Sequence, residues 1–207
     1  AESPSVRTVD DCFHSEASRR VLFHRSIMEF LNIVFEREPV LTQSLNFERG
    51  AEQEVHQDTA FVIMTSPLEF VGVCIALEDA TPGSGDLVYF PGSHRWPDYR
   101  FSGRFKHYDE ERDGREHLND WVRWIYQQAH ERGTELAHFC PKKGDVFIWH
   151  GGLAYGGAPA TNEESSRHSL VGHFCAKGVR PLYMYYKPSQ RKFYKWQGQR
   201  YSSAYYP

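Results

Sequence analysis

The chain has 207 residues, of which 40% are hydrophobic and 25% charged, and its formal net charge at pH 7 is -3. This length supports one substantial hydrophobic core, and the slightly negative charge argues against a general polyanion-binding protein. No apolar run approaches the roughly 20 residues that a membrane-spanning helix requires. Four widely spaced cysteines without a C-x-x-C pair are typical of reduced thiols, so we expect a cytoplasmic location.

Hydrophobic periodicity predicts helices near the start of the chain and then a series of short strands. Apolar residues at helical spacing predict one or two amphipathic helices over residues 15–35. Short apolar or alternating runs, bounded by Gly, Pro and Asp, predict strands over 41–47, 71–77, 87–90, 137–139, 146–149 and 170–175. This succession indicates a mainly β protein, and we expect a single domain over residues 1–207.

A highly charged segment over residues 100–133 interrupts the strand pattern. Within it, residues 116–132 carry apolar side chains along one helical stripe, which predicts a helical insertion between strands. Such an insertion either forms a lid or wall of a substrate site or covers a sheet as an exposed helix. The sequence leaves both alternatives open.

The C-terminal tail, from about residue 181 to 207, combines tyrosines with lysines and arginines. Aromatic and basic side chains together are typical of surfaces that hold single-stranded nucleic acid. The same side chains also suit a tail that packs on its own domain or forms a dimer contact. We favour packing, and we therefore expect a monomer or homodimer with neither a nucleic acid nor a membrane as partner.

The tripeptide His56-Gln57-Asp58 is a candidate metal-binding pair. Residues two apart in an extended segment share a face, so the imidazole and the carboxylate point the same way. One distant histidine would complete the facial triad of non-heme Fe(II) oxygenases. Taken alone, the tripeptide is a weak signal, because an ordinary hydrogen-bonded pair at the end of a strand explains it in most proteins that carry it.

Further motifs accompany this pair in a characteristic order and spacing. They are His56-Gln-Asp-Thr59, Gly83-Ser-Gly-Asp-Leu-Val-Tyr-Phe-Pro-Gly-Ser-His94-Arg95, Lys143-Gly-Asp-Val-Phe-Ile-Trp-His150 and Arg167-His-Ser-Leu-Val171. With these motifs, residues 22–181 resemble the bacterial branch of the phytanoyl-CoA dioxygenase-like family. The resemblance implies a double-stranded β-helix, which is a cupin-like jelly roll with flanking helices. It also implies an oxygenase that depends on Fe(II) and 2-oxoglutarate.

The resemblance also implies roles for individual side chains. His56 and Asp58 match the first two iron ligands, and Arg167 matches the arginine that binds the distal carboxylate of 2-oxoglutarate. A guanidinium suits that role because its planar fork donates two parallel hydrogen bonds to a carboxylate. Gln43 and Thr59 lie on segments that surround the iron in the family. Each is expected either to bind 2-oxoglutarate or substrate, or to make ordinary hydrogen bonds at a strand edge.

The chain departs from the family at the third iron ligand. Two histidines usually follow the Gly144-Asp145 strand, and the later one, five residues after the first, binds iron. Here the first is His150 and the second position is Tyr155. Tyr155 binds the metal as a phenolate, or His150 or water replaces the lost ligand, or the site is impaired. Ionising a free phenol at neutral pH costs about 4 kcal/mol, so we rank impairment or water substitution above a working tyrosinate.

The leading hypothesis is an Fe(II)/2-oxoglutarate oxygenase that uses O2 to hydroxylate a small organic substrate and converts 2-oxoglutarate into succinate and CO2. The alternative is a catalytically impaired or inactive relative that acts as a jelly-roll binding protein because of Tyr155. The sequence does not specify the substrate, since specificity depends on loops that vary within one fold.

Overall fold

Strand pairing builds two sheets that enclose the centre of the molecule. The computed structural model describes residues 7–50, 52–64, 69–161, 165–183 and 192–203. The strands are β1 (Arg7–Val9), β2 (Pro39–Phe47), β3 (Gln53–His56), β4 (Val62–Ile63), β5 (Phe70–Ala76), β6 (Leu87–Tyr89), β7 (Ala137–Phe139), β8 (Val146–His150), β9 (Tyr155–Gly157), β10 (Ser169–Ala176), β11 (Leu182–Tyr183), β12 (Phe193–Trp196) and β13 (Gln199–Ser202). The helices are α1 (Glu16–Leu22), α2 (Arg25–Phe35), α3 (Glu110–Asp113) and α4 (Glu116–Glu131).

The larger sheet has the strand order β12-β13-β2-β10-β5-β8, and β1 pairs with β2 beside this path. The smaller sheet has the order β3-β9-β6-β7, and β4 and β11 form a separate pair. Pairing is antiparallel within the smaller sheet, whereas β13 joins β2 in parallel in the larger one. All six predicted strand segments fall on strands of these sheets, which confirms the predicted mainly β class.

The central strands of the larger sheet, β5 and β10, are buried along their whole length. Helix residues such as Leu22 and Leu31 pack with Phe174 on one face of this sheet. On the other face, Leu87 of the smaller sheet packs with Trp149. Because both faces are covered, β5 is a continuous apolar run rather than an alternating one, and β10 departs from this pattern at Ser169 and His173.

The two N-terminal helices cover the outer face of the larger sheet. Helix α1 begins where the Ser15 side chain accepts a hydrogen bond from the Ser18 backbone N–H at 3.1 Å, as is typical of a helix N-cap. The buried face of α2 consists of Ile27, Met28, Leu31 and Phe35. Burying each such side chain contributes about 1.5–3 kcal/mol, so packing on the sheet determines how these helices sit.

Helix α4 occupies the charged segment in which the sequence predicts a helical insertion. Its buried residues Trp121 and Ile125 pack with Phe101 and with the partly buried Phe61. The Trp121 and Phe61 rings meet edge to face, with centroids 5.6 Å apart. The helix therefore supports the smaller sheet from outside.

Within the C-terminal tail, β11 pairs with β4, whereas residues 192–203 extend the larger sheet. β12 and β13 form a hairpin, and β13 pairs with β2. The Ser203 hydroxyl donates to the buried Asp10 carboxylate, which joins the two ends of the described chain. Residues 184–191 and 204–207 of the predicted tail lie outside the described residues.

Two further sequence expectations concern thiols and membranes. Cys12, Cys74, Cys140 and Cys175 are all free, and Cys140 is the exposed one. Within the described part of the chain, none of the helices combines the length and the apolar character needed to cross a bilayer.

Gly72 in β5 makes room for the indole of Trp149, its register partner in β8. A Cβ atom at residue 72 would lie 2.1 Å from Trp149 Cζ2, closer than any van der Waals contact. Glycine at this position therefore decides where the indole can lie.

We predict that Gly72→Ala lowers the free energy of unfolding by about 1–3 kcal/mol, because the methyl group overpacks the core. Replacing the indole by a smaller ring should relieve the clash, so Gly72→Ala with Trp149→Phe should be less destabilised than the sum of the two single variants. Urea denaturation of all four proteins measures this coupling. Strictly additive losses would contradict the proposed clash.

Candidate functional site

A cavity of about 200 Å³ lies between the two sheets and is lined by both. It brings together five of the residues that the sequence proposes for a site, namely Gln43, His56, Asp58, Tyr155 and Arg167. Trp149, Ser169 and His173 also line it, together with Gln53 at the start of β3. The fold thus gathers residues that are more than 100 positions apart in the chain.

His56, the last residue of β3, presents one ring nitrogen to this cavity. Its Nδ1 lies 2.9 Å from the Glu54 carbonyl oxygen. Because a carbonyl can only accept, Nδ1 carries the proton in the neutral ring and Nε2 keeps its lone pair. His56 Nε2 lies 3.9 Å from Asp58 Oδ1, and the intervening Gln57 is extended. Both side chains consequently face the same space.

Asp58 is almost completely buried, and two side chains hold its carboxylate. The Tyr155 hydroxyl donates to Oδ1 at 2.9 Å, and the Trp149 indole N–H donates to Oδ2 at 2.9 Å. Tyr155 belongs to the smaller sheet and Trp149 to the larger one. The orientation of Asp58 is therefore set by both sheets at once.

The glycine pair after β8 anchors the backbone around Asp58. The Gln57 side-chain amide donates to the Gly152 carbonyl at 2.6 Å. The Thr59 N–H donates to the Gly151 carbonyl at 3.0 Å. These bonds tie the His56–Asp58 segment to the end of the larger sheet.

Tyr155 faces His56 across the β3–β9 pair. Its ring centroid lies 4.5 Å from that of His56. Burial, together with the neighbouring Asp58 carboxylate, raises the pKa of Tyr155 well above its usual value. The side chain is therefore a neutral phenol at physiological pH, and its proton is engaged by Asp58.

His150 lies outside the cavity lining, although it is close in sequence. Its Nδ1 accepts a hydrogen bond from the Gly152 N–H at 2.9 Å, and its ring packs 5.6 Å from that of His94. Its buried Nε2 has no hydrogen-bond partner in the described structure. Among the described residues, no three His, Cys, Asp or Glu side chains group closely enough to hold a metal ion. This arrangement argues against His150 as the replacement ligand.

Arg167 is a buried cation without a counterion in the described part of the chain. It precedes β10, is 8% exposed and forms none of the ion pairs found there. Its Nε is buried without a hydrogen-bond partner. Burial lowers the pKa of Arg167, but an arginine remains charged in proteins. The Asp86 carboxylate acts on this charge in the opposite direction but forms no ion pair with it, so the guanidinium remains available to bind an anion.

Ser169 is a site residue that the sequence reasoning missed. It follows Arg167 by two residues, lines the same cavity, and its buried Oγ has no partner with hydrogen-bond geometry. The available signal was the two-residue spacing, which places side chains on one face of an extended segment. Arg167 Nε and Ser169 Oγ are thus two donors without hydrogen-bond partners on residues that line one cavity.

The remaining predicted residues are divided between the cavity and its surroundings. Gln43 lines the cavity and pairs in register with His173, whose Nδ1 lies 3.4 Å from the Tyr183 hydroxyl. Burial lowers the pKa of His173, so its ring is neutral. Thr59 is buried outside the cavity lining, and its carbonyl lies 2.9 Å from His107 Nδ1. The predicted contact of Thr59 with a ligand has no support in this arrangement.

Comparison with known families agrees with these features. The profile of the phytanoyl-CoA dioxygenase (PhyH) family matches residues 7–169, which is more than half of the chain. The chain belongs to the phytanoyl-CoA dioxygenase family.

Two curated relatives give the extent of this family resemblance. Phytanoyl-CoA dioxygenase domain-containing protein 1 of Danio rerio is 31% identical over 143 residues, which are 65% of this chain and 44% of that protein. A phytanoyl-CoA dioxygenase of Arabidopsis thaliana is 43% identical over 63 residues, which are 28% of this chain and 22% of that protein. The matches thus span less than half the length of either relative. The assignment to the bacterial branch stays a prediction.

Solved structures confirm the predicted jelly roll. The α-ketoglutarate-dependent carbocyclase SnoK superposes with a TM-score of 0.64 at 15% identity, covering 84% of this chain and 64% of that one. EctD from S. alaskensis, solved with bound Fe, superposes with a TM-score of 0.62 at 18% identity, covering 82% of this chain and 56% of that one. At these identities the likeness establishes the shared fold.

Because Arg167 is buried without a counterion, we predict that Arg167→Met raises the free energy of unfolding of the ligand-free protein by about 1–2 kcal/mol. Arg112→Met is the contrasting control, because Arg112 pairs with the buried Asp113 at 2.6 Å and its loss should destabilise the protein. Urea denaturation without added carboxylates measures both. A destabilised Arg167→Met variant would indicate that Arg167 already has a partner.

Proposed function

We propose that this protein is an Fe(II)- and 2-oxoglutarate-dependent oxygenase that hydroxylates a small organic substrate. The observation that carries the proposal is the unpaired, buried Arg167 in the same cavity as the His56–Asp58 pair. His56 and Asp58 suit a cation, and Arg167 with Ser169 suits an anion. Their positions in one cavity are those expected of a site that binds a metal and a dicarboxylate together. Membership of the phytanoyl-CoA dioxygenase family supports this interpretation.

The donor atoms of His56 and Asp58 fit a divalent metal. Two ligand atoms at about 2.1 Å from one ion lie about 3.0 Å apart in cis positions and at most about 4.2 Å apart. His56 Nε2 and Asp58 Oδ1, separated by 3.9 Å, are within that limit and reach the cis separation by approaching each other by about 1 Å. An imidazole nitrogen and a carboxylate oxygen are two members of the facial triad of non-heme iron oxygenases. We therefore assign His56 and Asp58 as metal ligands.

The unused donors of Arg167 and Ser169 fit the distal carboxylate of 2-oxoglutarate. A buried guanidinium binds a carboxylate through charge-assisted hydrogen bonds, and the serine hydroxyl adds a neutral donor. Gln43 lines the same cavity and offers an amide for hydrogen bonding to 2-oxoglutarate or substrate. A structure of SnoN, a neighbour with a TM-score of 0.64 and 17% identity, contains Fe3+ and α-ketoglutarate.

In this proposal the metal and 2-oxoglutarate, when bound, supply the oxidising chemistry with O2 and yield succinate and CO2. The protein binds and orients the metal and 2-oxoglutarate, and it excludes water from the cavity. Trp149 holds Asp58 from the side of the larger sheet, and such outer contacts to a ligand typically change metal affinity by 10–100-fold. Phe61 and Val62 contribute apolar surface to the cavity wall, which limits the entry of water.

A second candidate function is a binding protein without oxygenase turnover. The observation that favours it is that the Tyr155 hydroxyl donates a hydrogen bond to Asp58 Oδ1 at 2.9 Å. The resemblance leads us to expect a histidine ligand at the position of Tyr155. In that case the cavity would still bind a dicarboxylate through Arg167. The two candidates differ in metal binding and in the production of succinate.

Anaerobic titration with Fe(II) and then 2-oxoglutarate tests the proposal. We expect the visible absorption band that 2-oxoglutarate produces when it chelates ferrous iron, followed by succinate formation when air and substrate are admitted. His56→Ala and Asp58→Ala should abolish metal binding. Dicarboxylate binding without metal binding would instead favour the binding protein.

Arg167→Gln should leave metal binding intact and raise the Kd of 2-oxoglutarate by about 100-fold or more, because two charge-assisted hydrogen bonds of about 1.5–3 kcal/mol each are lost. Arg200→Gln, which removes an ion pair with Glu38 away from the cavity, is the matched control. An unchanged Kd in Arg167→Gln would show that the carboxylate partner is misassigned.

A further inference from the structure

Gln53 shares the cavity with His56, although the two residues are three positions apart on one strand. In a regular strand such residues point to opposite faces. The β3–β9 pairing has an irregular register between Gln53 and His56, and both side chains line the cavity. This irregularity brings the carboxamide of Gln53 to the metal-facing side of His56.

The carboxamide lies directly beside the free nitrogen of His56. Gln53 Nε2 is 3.5 Å from His56 Nε2. Since His56 Nδ1 carries the proton, Nε2 is the acceptor and the amide nitrogen donates to it. The bond is long, and Gln53 is exposed at the rim, where it also lines an adjoining groove. Nothing in this arrangement prevents the amide from turning.

A metal on His56 would reverse the role of this amide. The metal takes the Nε2 lone pair, so the amide N–H loses its acceptor and faces a cation. A half turn about the last torsion exchanges nitrogen for oxygen at almost the same position, since the terminal torsion of glutamine is broad and the two atoms are nearly the same size. A side-chain carbonyl oxygen is an ordinary ligand of divalent cations.

We propose that the side-chain oxygen of Gln53 is the third protein ligand of the metal, while Tyr155 remains a hydrogen-bond donor to Asp58. This inference rests on the proposed metal site. The separation of 3.5 Å between the Gln53 amide and His56 Nε2 lies within the span of about 4.2 Å available to two ligands of one ion. Tyr155 is less suited to this role because its single proton is already donated to Asp58.

Co(II) alone, added without oxygen, provides the test because its visible spectrum reports changes in coordination. Gln53→Ala should raise the Kd of Co(II) by about 10-fold or more, equivalent to about 1.4 kcal/mol, and should alter the spectrum. Gln53→Glu, which keeps a side-chain oxygen, should bind at least as tightly as the parent protein. Tyr155→Phe removes an outer hydrogen bond to Asp58, so we expect it to raise the Kd as such contacts do, but it should leave the spectrum unchanged because no ligand atom is lost.

Two controls separate the possible failures. Gln127→Ala removes an exposed glutamine that bonds to Glu131 on α4 and should not affect Co(II) binding, whereas His56→Ala should abolish it. If His56→Ala abolishes Co(II) binding and Gln53→Ala does not weaken it, the assignment of Gln53 as a ligand is wrong, whereas the proposed metal site is retained. A changed Co(II) spectrum in Tyr155→Phe together with an unchanged one in Gln53→Ala would assign the third ligand to Tyr155 instead. Unchanged binding in His56→Ala would overturn the metal site, and with it the proposed function.

Discussion

The organisation of the site depends on how the Asp58 carboxylate is held. Trp149 from the larger sheet and Tyr155 from the smaller sheet each donate one hydrogen bond to it, at 2.9 Å in both cases. Hydrogen bonds to a charged group contribute about 1.5–3 kcal/mol each, so this carboxylate also joins the two sheets. Gly72 belongs to the same arrangement because the indole of Trp149 occupies the space above it. A change in sheet packing would therefore move the carboxylate, and a change at the carboxylate would alter sheet packing.

The cavity illustrates a conflict between stability and binding. Arg167 is desolvated, forms no ion pair among the described residues, and shares its cavity with the Ser169 hydroxyl, which also lacks a hydrogen-bond partner. In a purely structural core such a group is unfavourable, because burying an unpaired charge is costly. The arrangement is reasonable if a carboxylate enters the cavity and completes the hydrogen bonds. Asp113 is a contrasting case, because this buried carboxylate has a counterion within the protein, namely Arg112 at 2.6 Å.

The chain belongs to the phytanoyl-CoA dioxygenase family, and Tyr155 stands at the position where the sequence resemblance leads us to expect a histidine ligand. Tyr155 behaves as a hydrogen-bond donor to Asp58 rather than as an acceptor facing a metal. Its ring packs between those of His56 and Trp149, with centroids 4.5 Å and 4.8 Å away. A shared fold leaves room for such changes, because function resides in the site and the scaffold tolerates many sites.

The sequence by itself indicated six strand segments, the jelly-roll class and five of the residues that line the cavity, namely Gln43, His56, Asp58, Tyr155 and Arg167. These follow from local signals, namely apolar runs between turns, the two-residue spacing of His56 and Asp58, and motifs in a recognisable order. The sequence did not indicate Ser169, Trp149 or Gln53 as parts of the site. Trp149 reads as an ordinary core aromatic, and its indole N–H meets Asp58 only when β8 and β3 are brought together.

Tertiary structure alone decided which side chains are left without partners and which are already engaged. Burial and pairing depend on contacts between residues that are distant in the chain, so no local pattern reveals that Arg167 lacks a counterion or that Tyr155 donates to Asp58. The same holds for Thr59 and His150, which sequence proximity places near the site and the backbone directs away from the cavity. Gln53 faces His56 because an irregular register in one strand pair changes the face of its side chain, and alternation along a sequence cannot predict that change.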